Sequence, residues 1–182
     1  MPIDSDSLAG DNWVAKAYRN GVPMGSDLRI HPDSYREGVR SQSPTFIIQA
    51  IKDGEGANLD RVQMVKGYLD KGGKPQEKIF EVVWAGERAI DTNGKLPAIG
   101  NTVDLPNATY TNDIGAVSFQ TIWTDPEFDA TQSAFYYLRV LEIPTPRWTT
   151  YDAKTLGIAP PTDVPATIQE RAWSSPIWYT PK

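Results

Sequence analysis

Residues 134–143, AFYYLRVLEI, carry the strongest strand signal in the sequence. Aromatic and β-branched side chains fill this stretch, and these side chains are enriched in β-strands because they pack well on a pleated surface. Pro144 and Pro146 follow at once. Proline ends a strand because it has no amide hydrogen to donate to a neighbouring strand. The stretch therefore predicts a full-length strand that stops before Pro144.

Further segments resemble this strand in length and composition. Segment 70–75 (DKGGKP) lies between two of them and predicts a hairpin, because glycine adopts positive φ at little cost. Pro176 marks the last segment as an edge strand or a bulge. The predicted strands, besides 134–143, are 45–51, 61–69, 78–84, 116–124 and 173–179.

Two segments show helical signals. Apolar residues from Trp13 to Tyr18 recur with the helical period, with Asp11 as the candidate N-cap and Gly21 just past the end. Residues 150–156, which a glycine follows, predict one or two further helical turns. Helix is therefore a minor component.

The length of 182 residues fits one hydrophobic core, with two small domains as the alternative. Residues 1–10 predict a flexible lead-in, and residues 11–182 a single domain. Segments 22–44 and 86–114 are rich in turn-forming residues and predict long loops. Such irregular strand spacing favours a sandwich over a barrel. The expected fold is mainly β, an immunoglobulin-like antiparallel β-sandwich with long Pro/Gly-rich loops and one or two short helices.

Composition argues against several classes of function. The chain has 18 Lys and Arg against 23 Asp and Glu, a net charge of −5, and no basic run. Nucleic-acid and anionic-membrane binding are therefore not expected. The absence of cysteine excludes disulfides and thiolate metal sites. No stretch approaches the ~20 apolar residues of a transmembrane helix, and the polar N-terminal residues do not read as a signal peptide.

Few residues are candidates for metal binding or catalysis. His31, the only histidine, lies in a predicted loop without a nucleophile elbow and is interpreted as a surface residue. Acidic segments 53–60 and 125–129 place oxygens at alternate positions, but the first lacks the closing glutamate of an EF-hand loop. Both are interpreted as solvated turns. A carboxylate-only enzyme stays an alternative, because sequence spacing does not reveal the distance between two acids.

The aromatic residues and two polar loops are the remaining features. The chain has six Trp and eight Tyr. Those in strands are expected in the core, with an exposed row that binds sugars or a partner as the alternative. Two loops combine arginine, aromatic and acidic residues. They are either structural networks, in which arginine pairs with an acid and stacks on Trp, or interaction rims. The candidate rim residues are Arg147, Trp148, Tyr151, Asp152, Glu170 and Arg171.

Several long motifs resemble the C-terminal region of a bacterial family of unknown function, the domain-of-unknown-function family 3604. The resemblance runs from about residue 11 to the end, and Ser26 stands where the family pattern has glycine. The motifs are 135–149 (FYYLRVLEIPTPRWT), 167–181 (TIQERAWSSPIWYTP), 21–28 (GVPMGSDL), 58–67 (NLDRVQMVKG) and 100–105 (GNTVDL).

The resemblance implies what kind of protein the chain comes from. Members of the family are several times longer and commonly exported, and their N-terminal part resembles PHP-type metal-dependent phosphoesterases. The histidine-rich metal motifs of that part are not in this sequence. The resemblance therefore implies a non-catalytic C-terminal accessory domain without a cofactor of its own, with the N-terminal hydrolase domain as its partner. Related PHP-like proteins end in a short β-sandwich with a similar Ser-Ser-Pro-Ile-Trp sequence. The alternative is a binding module for carbohydrate or cell-envelope material.

Overall fold

The structure of the chain, a computed structural model, describes residues 12–28 and 43–181. Within these ranges the chain forms ten strands and two helices, so the predicted mainly β fold is confirmed. The sheets are open and do not close into a barrel. The elements are α1 (Trp13–Asn20), β1 (Asp27–Leu28), β2 (Thr45–Ile51), β3 (Leu59–Leu69), β4 (Pro75–Trp84), β5 (Ser118–Thr124), β6 (Ala134–Glu142), β7 (Thr145–Pro146), α2 (Trp148–Leu156), β8 (Thr167–Ile168), β9 (Arg171–Trp173) and β10 (Ile177–Tyr179).

The main sheet is built around β6, the strand of the opening stretch. Its strand order is β1-β10-β6-β3-β4, and β9 pairs with β6 beside β10. All pairs are antiparallel except β1 with β10. The single terminal strand predicted over 173–179 is wrong in detail, because it forms two short strands. Pro176 has no amide hydrogen to continue the ladder, and Ser174 donates its amide to Leu138 at the break.

A second layer, the antiparallel pair β2 and β5, covers one side of the main sheet. The core lies between the two layers and joins Ile48 and Phe119 of the pair to Val62, Met64 and Tyr136 of the sheet. This packing is the sandwich-like arrangement expected from the sequence, since each layer has one apolar face to bury.

The β3–β4 hairpin forms where the glycine pair predicted it. The amide of Asp70 donates to Lys74, and Gly73 has a φ of +76°, which glycine adopts without strain. The Asp70 carboxylate accepts the amides of Gly72 and Lys74, and these hydrogen bonds lower its pKa, that from Lys74 most. The lysines and glycines of this segment thus form a turn.

The first helix forms as predicted but does not join the core. It ends before Gly21, whereas its expected N-cap, Asp11, lies outside the described residues. No residue of α1 is buried, and Tyr18 is 70% exposed. The expected lead-in 1–10 also lies outside the described residues. Neither helix in the described ranges has the length and apolar character needed to cross a membrane.

Candidate functional site

The predicted rim residues near position 150 lie on a well-held helix. β7 pairs with β8. Helix α2 begins two residues after the end of β7. The backbone amide of Arg147 and the hydroxyl of Thr150 both donate to the carbonyl of Ala166, at 2.9 Å and 2.7 Å. Gly157 ends the helix in the left-handed conformation that favours glycine. In the last turn the Lys154 ammonium donates to the Asn107 carbonyl, so both ends of the helix are held.

Four large apolar side chains of this segment are exposed. Trp148 is 67%, Tyr151 41% and Leu156 68% exposed on the helix, and Ile158, two residues after its end, is 60% exposed. We call these four residues the α2 ridge. Partial burial raises the pKa of the Tyr151 hydroxyl, and nearby Tyr110 adds to the effect. An apolar ridge on an anchored helix is the kind of surface that a partner covers.

The two predicted rim loops lie apart. Arg147 is hydrogen-bonded to the segment just before β8, whereas Glu170 follows β8 and its carbonyl accepts the amide of Glu142. About four residues of extended chain, ~13 Å, therefore separate the loops. The side chain of Arg147 donates to the Pro165 carbonyl at 2.9 Å. Among the described residues neither Arg147 nor Arg171 forms an ion pair or a ring contact.

Asp60, in the first acidic segment, differs from the solvated turn that was predicted. A β-bulge in β3 turns its carboxylate inward, where it is fully buried. It accepts hydrogen bonds from Arg88 at 2.6 Å, Arg61 at 3.0 Å and Gln169 at 3.0 Å. Asp60 therefore ties two loops to the sheet, and its carboxylate is occupied by protein donors.

The rest of that segment is a turn closed by a lysine. The ammonium of Lys52 binds the carbonyls of Asp53 at 2.8 Å and Gly56 at 2.9 Å. The Asp53 carboxylate accepts the amide of Glu55. A cation is thus already present at the carbonyl oxygens that a calcium loop would offer.

The second acidic segment also contains a buried acid. Asp125 is fully buried and accepts hydrogen bonds from Lys66 at 2.6 Å and from the Tyr136 hydroxyl at 2.8 Å. The expectation of a solvated turn is therefore wrong for Asp125, because the side chain folds inward to meet a lysine from the main sheet. Glu127, by contrast, is exposed and pairs with Lys78.

Within the described ranges no three His, Cys, Asp or Glu side chains are grouped as metal ligands. The only histidine, His31, lies outside those ranges. The acids of segments 53–60 and 125–129 are therefore interpreted by the hydrogen bonds and ion pairs that they form within the protein.

Sequence reasoning did not locate a second surface, the outer face of the main sheet, which points away from the core. Residues opposite each other in an antiparallel pair share a face, so the strand register defines it. Three rows cross the strands: the first holds Glu77, Gly67, Phe135 and Trp178, the second Ile79, Val65 and Tyr137, and the third Glu81, Gln63, Arg139 and Trp173. The alternation in 134–143 could have separated this face from the core.

Aromatic rings make up much of the outer face. Trp173 is 58% and Trp178 47% exposed, so the expectation of core packing is wrong for both. The ring of Phe135 lies 5.1 Å from Trp178 and 6.3 Å from Tyr137, nearly parallel to the latter. Trp123, from the same set of strand aromatics, does pack against the core.

One comparison with known proteins gives a match. The model of the family described as protein of unknown function (DUF3604) matches residues 1–181. The chain belongs to this family. The resemblance recognised in the sequence motifs is thereby confirmed. No curated protein and no solved structure matches the chain significantly.

Proposed function

We propose that the chain is a non-catalytic accessory domain that packs against a metal-dependent hydrolase domain and shapes the rim of its active site. The α2 ridge is the observation that carries the proposal. It places four exposed large apolar side chains on or next to a short helix that is held at both ends, and exposed apolar side chains that lie close together are typical of a surface that another domain covers.

The nature of the partner rests on the family resemblance. Longer members carry a PHP-like N-terminal part and are commonly exported, so we extend the proposal to an exported parent protein. The divalent metal would be bound by that part. Asp60 and Asp125 support the assignment of the metal site to the other domain, because an arginine and a lysine side chain already bind their carboxylates.

Arg147 is the residue best placed to act at such a rim. It precedes the α2 ridge, and the hydrogen bond to the Pro165 carbonyl uses only its Nε atom. The terminal guanidinium nitrogens have no hydrogen-bond partner among the described residues and could bind a phosphate or carboxylate group.

The first test measures bound metal and phosphodiester hydrolysis for the purified chain, with and without Mn²⁺ or Zn²⁺. We expect neither metal nor turnover. Stoichiometric metal with turnover would favour the carboxylate-only enzyme instead, and segments 53–60 and 125–129 would be mutated first.

The second test uses a longer polypeptide that contains both the hydrolase domain and this chain. Arg147→Ala should lower kcat/KM without changing the thermal midpoint, because the side chain makes only one hydrogen bond. Trp148→Ala should weaken the association of the two domains when they are produced separately. Tyr18→Ala, an exposed aromatic on α1, is the control. Unchanged kinetics and unchanged association would remove the rim role.

A further inference from the structure

We propose that the outer face of the main sheet binds a neutral, extended polysaccharide. This function is separate from the docking of the α2 ridge, since it uses different strands and different side chains. Three features support it: two exposed indole rings on the same face, a row of aromatic rings beside Trp178, and a polar row that ends at Trp173.

The position of the Phe135 ring depends on a glycine. Gly67 lies directly opposite Phe135, and a Cβ atom at Gly67 would lie 2.2 Å from the Cζ atom of that ring. The ring therefore lies on the backbone of β3, where no side chain lifts it. Trp178 and Tyr137 flank it. The apolar faces of pyranose rings stack on aromatic surfaces of this kind.

The two exposed tryptophans are spaced for a chain rather than for one sugar. Trp178 pairs with Phe135 and Trp173 with Arg139, four residues further along β6. Four residues span ~13 Å of strand. That distance exceeds one pyranose ring, so the two indoles would contact different sugar units of the same chain. An extended ligand follows from this geometry.

The polar row offers hydrogen-bond donors to sugar hydroxyls. Arg139 donates through Nε to Gln63 at 2.8 Å, and Gln63 donates to one oxygen of Glu81 at 2.7 Å. The terminal nitrogens of Arg139 have no hydrogen-bond partner among the described residues. The second oxygen of Glu81 is shielded from solvent and also lacks a donor. The free guanidinium nitrogens of Arg139 are therefore the groups of this row that a sugar hydroxyl can contact.

The charges favour a neutral ligand. The row contains one free cation, Arg139, and one acid, Glu81, whereas Arg61 is already paired with acids. The chain as a whole carries a net charge of −5, which repels polyanions. Sugar hydroxyls, which both donate and accept, match such a mixed set better than a phosphate or a basic peptide does.

The test is isothermal titration of the chain with soluble neutral polysaccharides (xylan, xyloglucan, galactomannan and laminarin), with polygalacturonate as the acidic comparison. We expect at least one neutral polysaccharide to bind, with affinity that rises with oligosaccharide length. Trp173→Ala and Trp178→Ala should each weaken binding by about tenfold, and the double variant should abolish it. Both side chains are about half exposed, so their removal leaves the core intact.

Two control variants test whether the outer face itself binds the polysaccharide. Tyr18→Ala removes an aromatic side chain on α1 that is even more exposed and should leave the affinity unchanged. Arg139→Met keeps the apolar stem but removes the free donors, and it should also weaken binding. Each of three results would overturn the proposal: no neutral polysaccharide binds, only polygalacturonate binds, or the double tryptophan variant binds as well as the wild type. If the double variant instead abolishes association with a separately produced hydrolase domain, the face is a protein interface.

Discussion

Asp125→Ala tests the buried ion pair that joins the two layers of the sandwich. The Asp125 carboxylate accepts hydrogen bonds from Lys66, from the Tyr136 hydroxyl and from the amide of Glu127 at 2.8 Å. Burial and the hydrogen bond to Asp125 hold the pKa of Tyr136 above its usual range, so the hydroxyl remains a donor. The substitution removes all three interactions at once.

The expected cost is large because Lys66 stays behind. Its side chain is only 5% exposed, and after the substitution its ammonium keeps a single hydrogen-bond partner, the Glu127 carbonyl at 2.8 Å. Removing one member of a buried ion pair costs about 3–5 kcal/mol. Total stabilities are about 5–15 kcal/mol, so this loss is a substantial fraction. With an m-value of about 2 kcal/mol/M, the urea midpoint should fall by about 2 M.

The assay is equilibrium urea unfolding followed by tryptophan fluorescence. Glu127→Gln is the matched control, because it removes the exposed pair with Lys78 nearby and should cost less than about 1 kcal/mol. The double variant Lys66→Met/Asp125→Leu should be less destabilised than Asp125→Ala alone, since no charge is then left unpaired. If Asp125→Ala lowers the free energy of unfolding by no more than Glu127→Gln does, the buried pair of Lys66 and Asp125 does not contribute the expected stability.

Two further predictions concern the outer face and the sheet edge. Gly67→Ala should destabilise the chain by about 1–3 kcal/mol and change the near-ultraviolet circular dichroism, because the new methyl group displaces the Phe135 ring. Gly54→Ala, with no atom within 4 Å of the added carbon, is the control, and equal effects would contradict the close approach. Burial, then Glu170 and Asp53, raise the pKa of Glu142 above 4.5, so the native state favours its protonated form. The free energy of unfolding of the wild type should therefore fall, relative to that of Glu142→Gln, as the pH rises from about 4.5 through the raised pKa. The measurement is the urea midpoint of both proteins across pH 4–8, and a constant difference between the two midpoints would contradict the prediction.

The strands were predictable because their signal is local. The composition of 134–143 and the prolines after it set the position of β6, and the glycine pair at 72–73 set the β3–β4 turn. Each depends on a few neighbouring residues whose preferences agree. The last strand was harder, because the effect of Pro176 depends on which neighbour the chain pairs with.

The acidic segments show why the candidate sites were less predictable. Asp60 and Asp53 lie seven residues apart in one polar stretch, yet one is fully buried and the other is exposed. A bulge in β3 and the approach of Arg88 from a distant loop decide the difference. Neither the bulge nor the loop approach can be read from the residues around Asp60.

The class of fold, the main strands and the family could be inferred from the sequence, because local propensity, turn residues and long motifs are properties of contiguous residues. Which face of each strand is covered became known from the packing of the layers. Both Trp123 and Trp173 lie on strands, but Trp123, on β5, packs against Phe80 of the main sheet, whereas Trp173, on β9, is 58% exposed. Whether a strand residue is buried depends on a second layer that comes from elsewhere in the chain. Among the described residues the β2–β5 pair packs on one side of the main sheet, so the outer face on the other side is a candidate binding surface.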